Sequence, residues 1–228
     1  MTGWTEFILA FAAFLGSHAI PARPRLRGWL IARMGRAGYV AVFSTLSTAL
    51  LFWLIFAAGR APFVPLWDQA PWQRWFVNLA VPLAIMLGTF GIGAPNPFAF
   101  EGRDTGYDPR RPGIVGLVRQ PLLWALLLWA GAHLLVNGDL AHVILFGSFA
   151  AFALIGMAML ERRKRRQWGD DEFRRLAAHS SPIPFAALLA GRWRPSSGPS
   201  LIRLGVAVLA WAALWHLHAP VIGVSPLP

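Results

Sequence analysis

Cysteine is absent from all 228 residues, which excludes disulfides, thiolate metal ligands and cysteine nucleophiles. Acidic groups are scarce, 10 Asp and Glu against 21 Lys and Arg, so few carboxylates are on hand for a metal cage or a paired acid–base site. The signatures of soluble enzymes are missing as well: no Walker loop, no GxGxxG before a strand, no HExxH and no GxSxG. With 56% hydrophobic residues, the chain has room for one membrane bundle and no sizeable soluble domain. A single transmembrane domain over residues 1–228 is the expected organisation.

The apolar residues gather into six runs: Trp4–Ile20, Ala37–Gly59, Phe76–Pro95, Gln120–Val136, Leu140–Leu160 and Leu204–Gly223. Each is near the roughly 17–25 residues a helix needs to cross a hydrocarbon core. Nineteen of the 21 basic residues fall in three alternate connections between them. The first holds Arg23, Arg25, Arg27, Arg33 and Arg36; the third holds Arg103, Arg110, Arg111 and Arg119; the fifth holds the ten from Arg162 to Arg203. Cationic loops stay cytoplasmic. The fold class expected is therefore an all-α integral membrane protein of about six transmembrane helices, both termini outside, with a large basic cytoplasmic loop between spans five and six. A net charge of +11 could suit nucleic acid, but this charge lies at one membrane face, where anionic headgroups attract it. The lipid bilayer is the expected partner, and nucleic acid is not.

The N-terminus has Glu6 and no basic residue before Arg23, so it lacks the n-region of a signal peptide and the first run reads as a retained helix. Trp4, Trp67, Trp72 and Trp75 mark predicted outer boundaries and Trp29 an inner one. Asn96–Gly113 is rich in Gly, Pro and Asp and reads as a structured loop, and Asn137-Gly138-Asp139 as a tight turn. Span five is expected to continue as a helix through Glu161-Arg162-Arg163-Lys164-Arg165-Arg166, with Glu161 pairing Arg165 at i,i+4. Asp170-Asp171-Glu172 is expected to open a short amphipathic helix rather than to bind metal. No internal repeat and no inverted symmetry of the transporter kind is visible.

Ionisable groups inside a bilayer are costly and point to function by default. The candidates are His18 near the inner end of span one, His133 near the outer end of span four, His142, His216 and His218 at outer boundaries, and Glu6 and Asp139 at similar depth. His179, in the cytoplasmic loop, is expected to be solvated. The plain alternative for each histidine is a boundary residue bonded to backbone, headgroup or water. His216 and His218 are two apart and cannot share a helix face. His133 has Trp129 and Asn137 at i±4, one aromatic and one polar companion. Arg119, before Pro121, is expected to meet an anion or headgroup, or to snorkel.

Several segments in order resemble the NnrU domain family, which is similar to the 15-cis-zeta-carotene isomerases of plants and algae. They are Ser17-His18-Ala19-Ile20-Pro21, Gly35-Arg36-Ala37-Gly38-Tyr39, Asn96-Pro97, Val118-Arg119-Gln120-Pro121, Trp129 with Ala132 to Asp139, Trp168 to Phe173, and Ser181 to Ala186. No single segment is specific; the ordered set, covering nearly the whole chain, is. The resemblance implies a bacterial inner-membrane protein linked to nitrite and nitric oxide (denitrification) metabolism. From the isomerases it implies haem b, redox-dependent cis–trans isomerisation of a polyene such as zeta-carotene, and iron ligands at His18 and His133. No catalytic residue is implied. Two departures matter: the family's Arg-His-Pro reads Arg119-Gln120-Pro121, and the isomerase cysteine three residues before the second ligand reads Ala130.

Imidazole is a natural axial ligand of haem iron, and a helix bundle a normal place to hold the macrocycle. At 1.5 Å per residue, His18 would lie roughly 20 Å from the outer end of span one, and His133 about 6 Å from the outer end of span four. Either tilted or broken spans bring them together, or they do not share an iron, in which case His142 or His216 could partner His133. Three functions are therefore weighed. One is a haem protein acting on a lipophilic polyene or nitric oxide, which would make a haem-dependent isomerase conceivable. Another is a non-catalytic accessory protein docking a respiratory complex through its basic loop. The third is a small-substrate transporter, disfavoured because no span carries a buried acid–base pair.

Overall fold

The computed structural model describes residues 3–20, 23–100 and 102–228. Pro21, the end of the Ser17–Pro21 segment, lies outside the described residues. Helices and no strand occur among the described residues: α1 Gly3–His18, α2 Pro24–Arg60, α3 Pro71–Gly91, α4 Ile114–Leu117, α5 Pro121–Val136, α6 Leu140–Trp168, α7 Asp170–Ala177, α8 Ala186–Leu189 and α9 Leu201–Ile222. Each of the six apolar runs maps to one of the long helices. Four of these, α2, α3, α6 and α9, are long and apolar enough to cross a membrane. The remaining two, α1 and α5, have 16 residues each, about 24 Å of helix.

Two boundaries differ from the sequence reading. From Pro24 on, the first basic connection is helical, because Pro24 opens α2 at its N-terminus, where a missing N–H costs nothing. The break comes instead at Gly35, whose φ of 73° and ψ of 165° suit a residue without Cβ. Helix α3 begins at Pro71 rather than Phe76; Gln73 Oε1 accepts from the Ala70 N–H at 2.7 Å, so the segment after Ala61 is shorter than expected. Helix α6 does run on through the basic stretch to Trp168, and α7 opens on Asp170, Asp171 and Glu172 as expected.

The chain forms two compact units. The first comprises residues 1–68 and 138–145. In it α1 packs on α2 through Phe7, Ala10 and Phe14 on one side and Leu54, Ala57 and Ala58 on the other, all buried. Glu6 is ion-paired to Arg60, with Trp53 Nε1 donating to it at 3.2 Å. Gly138 accepts from Leu66 N at 2.7 Å, and Leu140 N donates to Val64 O at 3.0 Å.

The second unit comprises residues 69–137 and 146–228, and α3 packs in it on both α5 and α9. The buried positions of α3 and α5 include Ala80, Ala84, Ala130 and Ala132. Small side chains let helix backbones approach closely where no hydrophobic force drives helices together. Arg203, at the start of α9, donates to the carbonyls of Thr89, Phe90 and Ile92 at 2.8–2.9 Å, which satisfies the orphan carbonyls at the end of α3. The loop 96–113 is structured: Asn96 and Arg103 pair through backbone bonds of 2.8 and 3.0 Å. Phe98, 1% exposed, forms a small core with Val115, Phe173 and Ala177.

Candidate functional site

His18 closes α1. Its Nδ1 lies 2.8 Å from the carbonyl oxygen of Phe14, one turn back. A carbonyl can only accept, so that nitrogen carries the proton and Nε2 carries the lone pair. The lone pair accepts from Ser47 Oγ of α2 at 3.2 Å. The Phe14 and Phe43 rings flank the imidazole at 4.3 and 5.5 Å between centroids.

His133 sits near the end of α5 in the same setting. Its Nδ1 donates to the Trp129 carbonyl, again one turn back, at 2.8 Å, so its lone pair is also on Nε2. Trp129 and Phe146 lie 5.3 and 5.0 Å from its ring. The Asn137 side chain, read in the sequence as a companion of this imidazole, donates to the His133 backbone carbonyl instead, at 2.8 Å. Ala130, at the position of the isomerase cysteine, is wholly buried.

An imidazole that donates from one nitrogen to a backbone carbonyl and offers the other is set up as a metal ligand, with tautomer and ring orientation fixed. The donor chemistry of His18 and His133 thus fits haem iron. His18 belongs to the first unit and His133 to the second. Of the other histidines, His218 also meets a backbone carbonyl through Nδ1, though one beyond the end of its helix, and His142 and His216 are held otherwise. His142 Nδ1 is 2.7 Å from Asp139 Oδ2, and its backbone N–H is capped by the same carboxylate. His218 is bonded to the Val224 carbonyl at 2.7 Å, and His216 is exposed beside Trp215. His179, expected to be solvated, is half-buried, with Nδ1 enclosed. Among the described residues no group of three or more His, Cys, Asp or Glu could hold a metal ion.

A second cluster was missed by sequence reasoning. Arg119, expected to reach a headgroup, is 6% exposed. Its Nη1 donates to Glu161 Oε2 at 2.6 Å and its Nε to Ser180 Oγ at 3.1 Å. The guanidinium lies over the rings of Phe98 and Phe173 at 5.0 and 5.4 Å. Glu161 therefore pairs with Arg119 and not with Arg165, which binds Asp170 at 2.8 Å. Backbone bonds bring in Asn96, whose side chain donates to the Arg119 carbonyl at 2.9 Å, and Ser181, whose carbonyl accepts from Arg119 N at 2.8 Å.

Four of the ordered segments quoted above thus meet at Arg119, through its backbone at Asn96 and Ser181 and through its guanidinium at Phe173. Burial pushes the Arg119 guanidinium below its ordinary value, with the Glu161 carboxylate opposing. Burial also pushes the Tyr107 phenol up to about 12, opposed by the Arg119 charge. The cluster clamps Asn96, Phe98 and α7 to the start of α5 and to Glu161 of α6. The sequence signal that could have found it is Arg119 beside Pro121, a cation fixed at the start of an apolar helix.

A family model described as NnrU protein matches residues 6–226 of the chain. No curated protein and no solved structure matches.

Proposed function

The chain belongs to the NnrU family, and we propose that it is a six-span protein of the bacterial inner membrane that binds haem b through His18 and His133 and serves nitrite and nitric oxide metabolism. The observation that carries this reading is the common setting of the two imidazoles. Each donates from Nδ1 to the carbonyl one turn back at 2.8 Å, which places the lone pair on Nε2, and each ring lies among aromatic side chains. Each of these two imidazoles, taken by itself, has the backbone-fixed tautomer that iron ligation asks for.

The chain's own residues have assigned tasks. Phe14 and Trp129 carbonyls hold the tautomers; Ser47 donates to the His18 lone pair and would give it up on ligation. The rings of Phe43, Trp129 and Phe146 keep water from the imidazoles. Bound haem would supply a redox-active iron that could take nitric oxide if one of the two imidazoles gave way to it. With alanine at 130, a switch that depends on a thiolate is excluded, which favours nitric oxide over polyene isomerisation as the chemistry. Six spans with both termini outside are supported by the alternation of basic connections and by the four helices of crossing length.

The test is a reduced-minus-oxidised visible spectrum of detergent-purified protein, with a pyridine haemochrome assay. The expected result is a low-spin b-type spectrum near one haem per chain, lost in His133→Ala and His18→Ala. Unchanged haem content in either variant would strike that histidine from the ligands. A colourless protein after expression with ample haem would overturn the haem reading in favour of a non-catalytic accessory protein.

A further inference from the structure

The end of the second unit that carries the basic residues shows apolar side chains where a soluble surface would be polar. Ile183 is 63% exposed, Phe185 52% and Leu189 84%, and at the start of α9 Leu201 and Ile202 are 79% and 81% exposed. Phe185 has a φ of 63°, a left-handed conformation that a bulky residue adopts only when its surroundings enforce it. The enforcement is visible. Phe185 N donates to Leu117 O at 3.0 Å, Arg119 N to Ser181 O at 2.8 Å, and Trp124 Nε1 to Pro182 O at 2.8 Å. Its backbone is thereby clasped to the start of α5 while its apolar side chains point away from the protein.

We propose that Pro182–Arg194 is an interfacial anchor, seated in the headgroup layer of a bilayer rich in anionic lipid. Depth supports this. Trp124 lies in the first turn of α5, so Pro182 sits level with the opening of an apolar helix that is only 16 residues long, short of the roughly 20 a full crossing needs. The exposed residues 183–189 extend the apolar surface at that short end. Continuity supports it too. Gly91 at the end of α3 lies against Pro121, and Arg203 ties the start of α9 to the same end of α3. The patch therefore adjoins three helix ends at one level.

Charge complementarity completes the case. Residues 178–203 contain Arg192, Arg194 and Arg203 and no Asp or Glu. Arg192 and Arg194 are both exposed, and Arg192 also donates to the Ala178 and Ser180 carbonyls at 3.2 Å. Apolar side chains dipping below a rim of cations are what an anionic leaflet recognises.

The absence of native cysteine makes the test direct. Single nitroxide labels at Ile183→Cys, Leu189→Cys and, as a control in the exposed Pro195–Ser200 stretch, Ser197→Cys are placed in the full-length protein. The protein is reconstituted into phosphatidylglycerol–phosphatidylcholine vesicles. The expected result is an oxygen-to-nickel-chelate accessibility ratio several-fold higher at 183 and 189 than at 197. Equal ratios, as for a water-exposed loop, would overturn the proposal. So would shielding from both reagents, as inside a contact with another protein or a second copy. Both test positions are exposed, so labelling removes no core contact. A second measurement compares phosphatidylglycerol co-purified from equal mixtures by wild type and Arg194→Gln. A smaller amount is expected from the variant, since one basic residue at an anionic surface is worth about five-fold in the association constant of the lipid it meets, and no change would overturn the anionic preference.

Discussion

Replacing Arg119 by Met should destabilise the protein through the partner it leaves behind rather than through the bond it loses. Arg119 is nearly fully buried, and its ion pair with Glu161 measures 2.6 Å. Burial depresses the guanidinium more than Glu161 restores it, so the pair as a whole contributes little net stability. Breaking it on one side is different. Glu161, whose side chain is 21% exposed, keeps its charge without a partner, and removal of one member of a buried pair costs about 3–5 kcal/mol. The partial exposure of Glu161 argues for the lower end, about 3 kcal/mol, including the contacts over Phe98 and Phe173. For a chain of this size that is roughly 6–12 °C in melting temperature. The double variant Arg119→Met/Glu161→Met removes both charges and should lie within about 1 kcal/mol of wild type. Thermal melts in detergent, backed by equilibrium unfolding in SDS, read the cycle. An Arg119→Met cost below about 1 kcal/mol, or a double variant as costly as the sum of the singles, would refute the reasoning.

Further outcomes are expected. Tyr107 donates to the Leu176 carbonyl at 3.0 Å and titrates at about 12, against an ordinary value of about 10. A raised acid pKa stabilises the fold fully below pH ~10, and this contribution is lost as the pH rises from ~10 through ~12. A 295 nm titration of Tyr39→Phe, which leaves Tyr107 as the remaining tyrosine, should show the late step, and a step near 10 would place the phenol in water. Membrane-impermeant maleimide should label Asp68→Cys in intact cells and Ser197→Cys only after permeabilisation; the reverse pattern would invert the proposed orientation. Gly138→Ala should cost about 1–3 kcal/mol by overpacking, because a Cβ there overlaps the Trp67 carbonyl. A melt equal to wild type would show that this turn opens freely.

The helices were legible because their cause is local. A run of apolar residues long enough for a bilayer must satisfy its own backbone bonds, and a helix does so within the segment. Pro24, Pro71 and Pro121 at helix starts and Gly35 at the break in α2 follow from backbone chemistry that one residue carries alone. Even so, α2 and α3 begin earlier than hydropathy suggested, since helix formation does not stop where apolar residues do. The candidate histidines could be named from the chain, but the orientation of each imidazole could not. That His18 meets Ser47 of α2 depends on how α1 packs.

The Arg119 cluster lay furthest from the sequence. Glu161 is 42 residues away and Ser180 is 61, and nothing in local spacing tells Glu161 to prefer Arg119 over Arg165. Packing decides it, because only at Arg119 do two rings and a serine exclude water and strengthen the attraction of opposite charges. The same holds for Ile183, Phe185 and Leu189. Their composition reads as an ordinary loop, and only the backbone bonds to Leu117 and Trp124 turn them outward. Sequence alone determined that this chain forms apolar helices with basic residues gathered in alternate connections. The tertiary structure decided which charges are buried, which side chains of other helices flank each imidazole and which apolar side chains stay exposed, because each depends on groups brought together from distant parts of the chain.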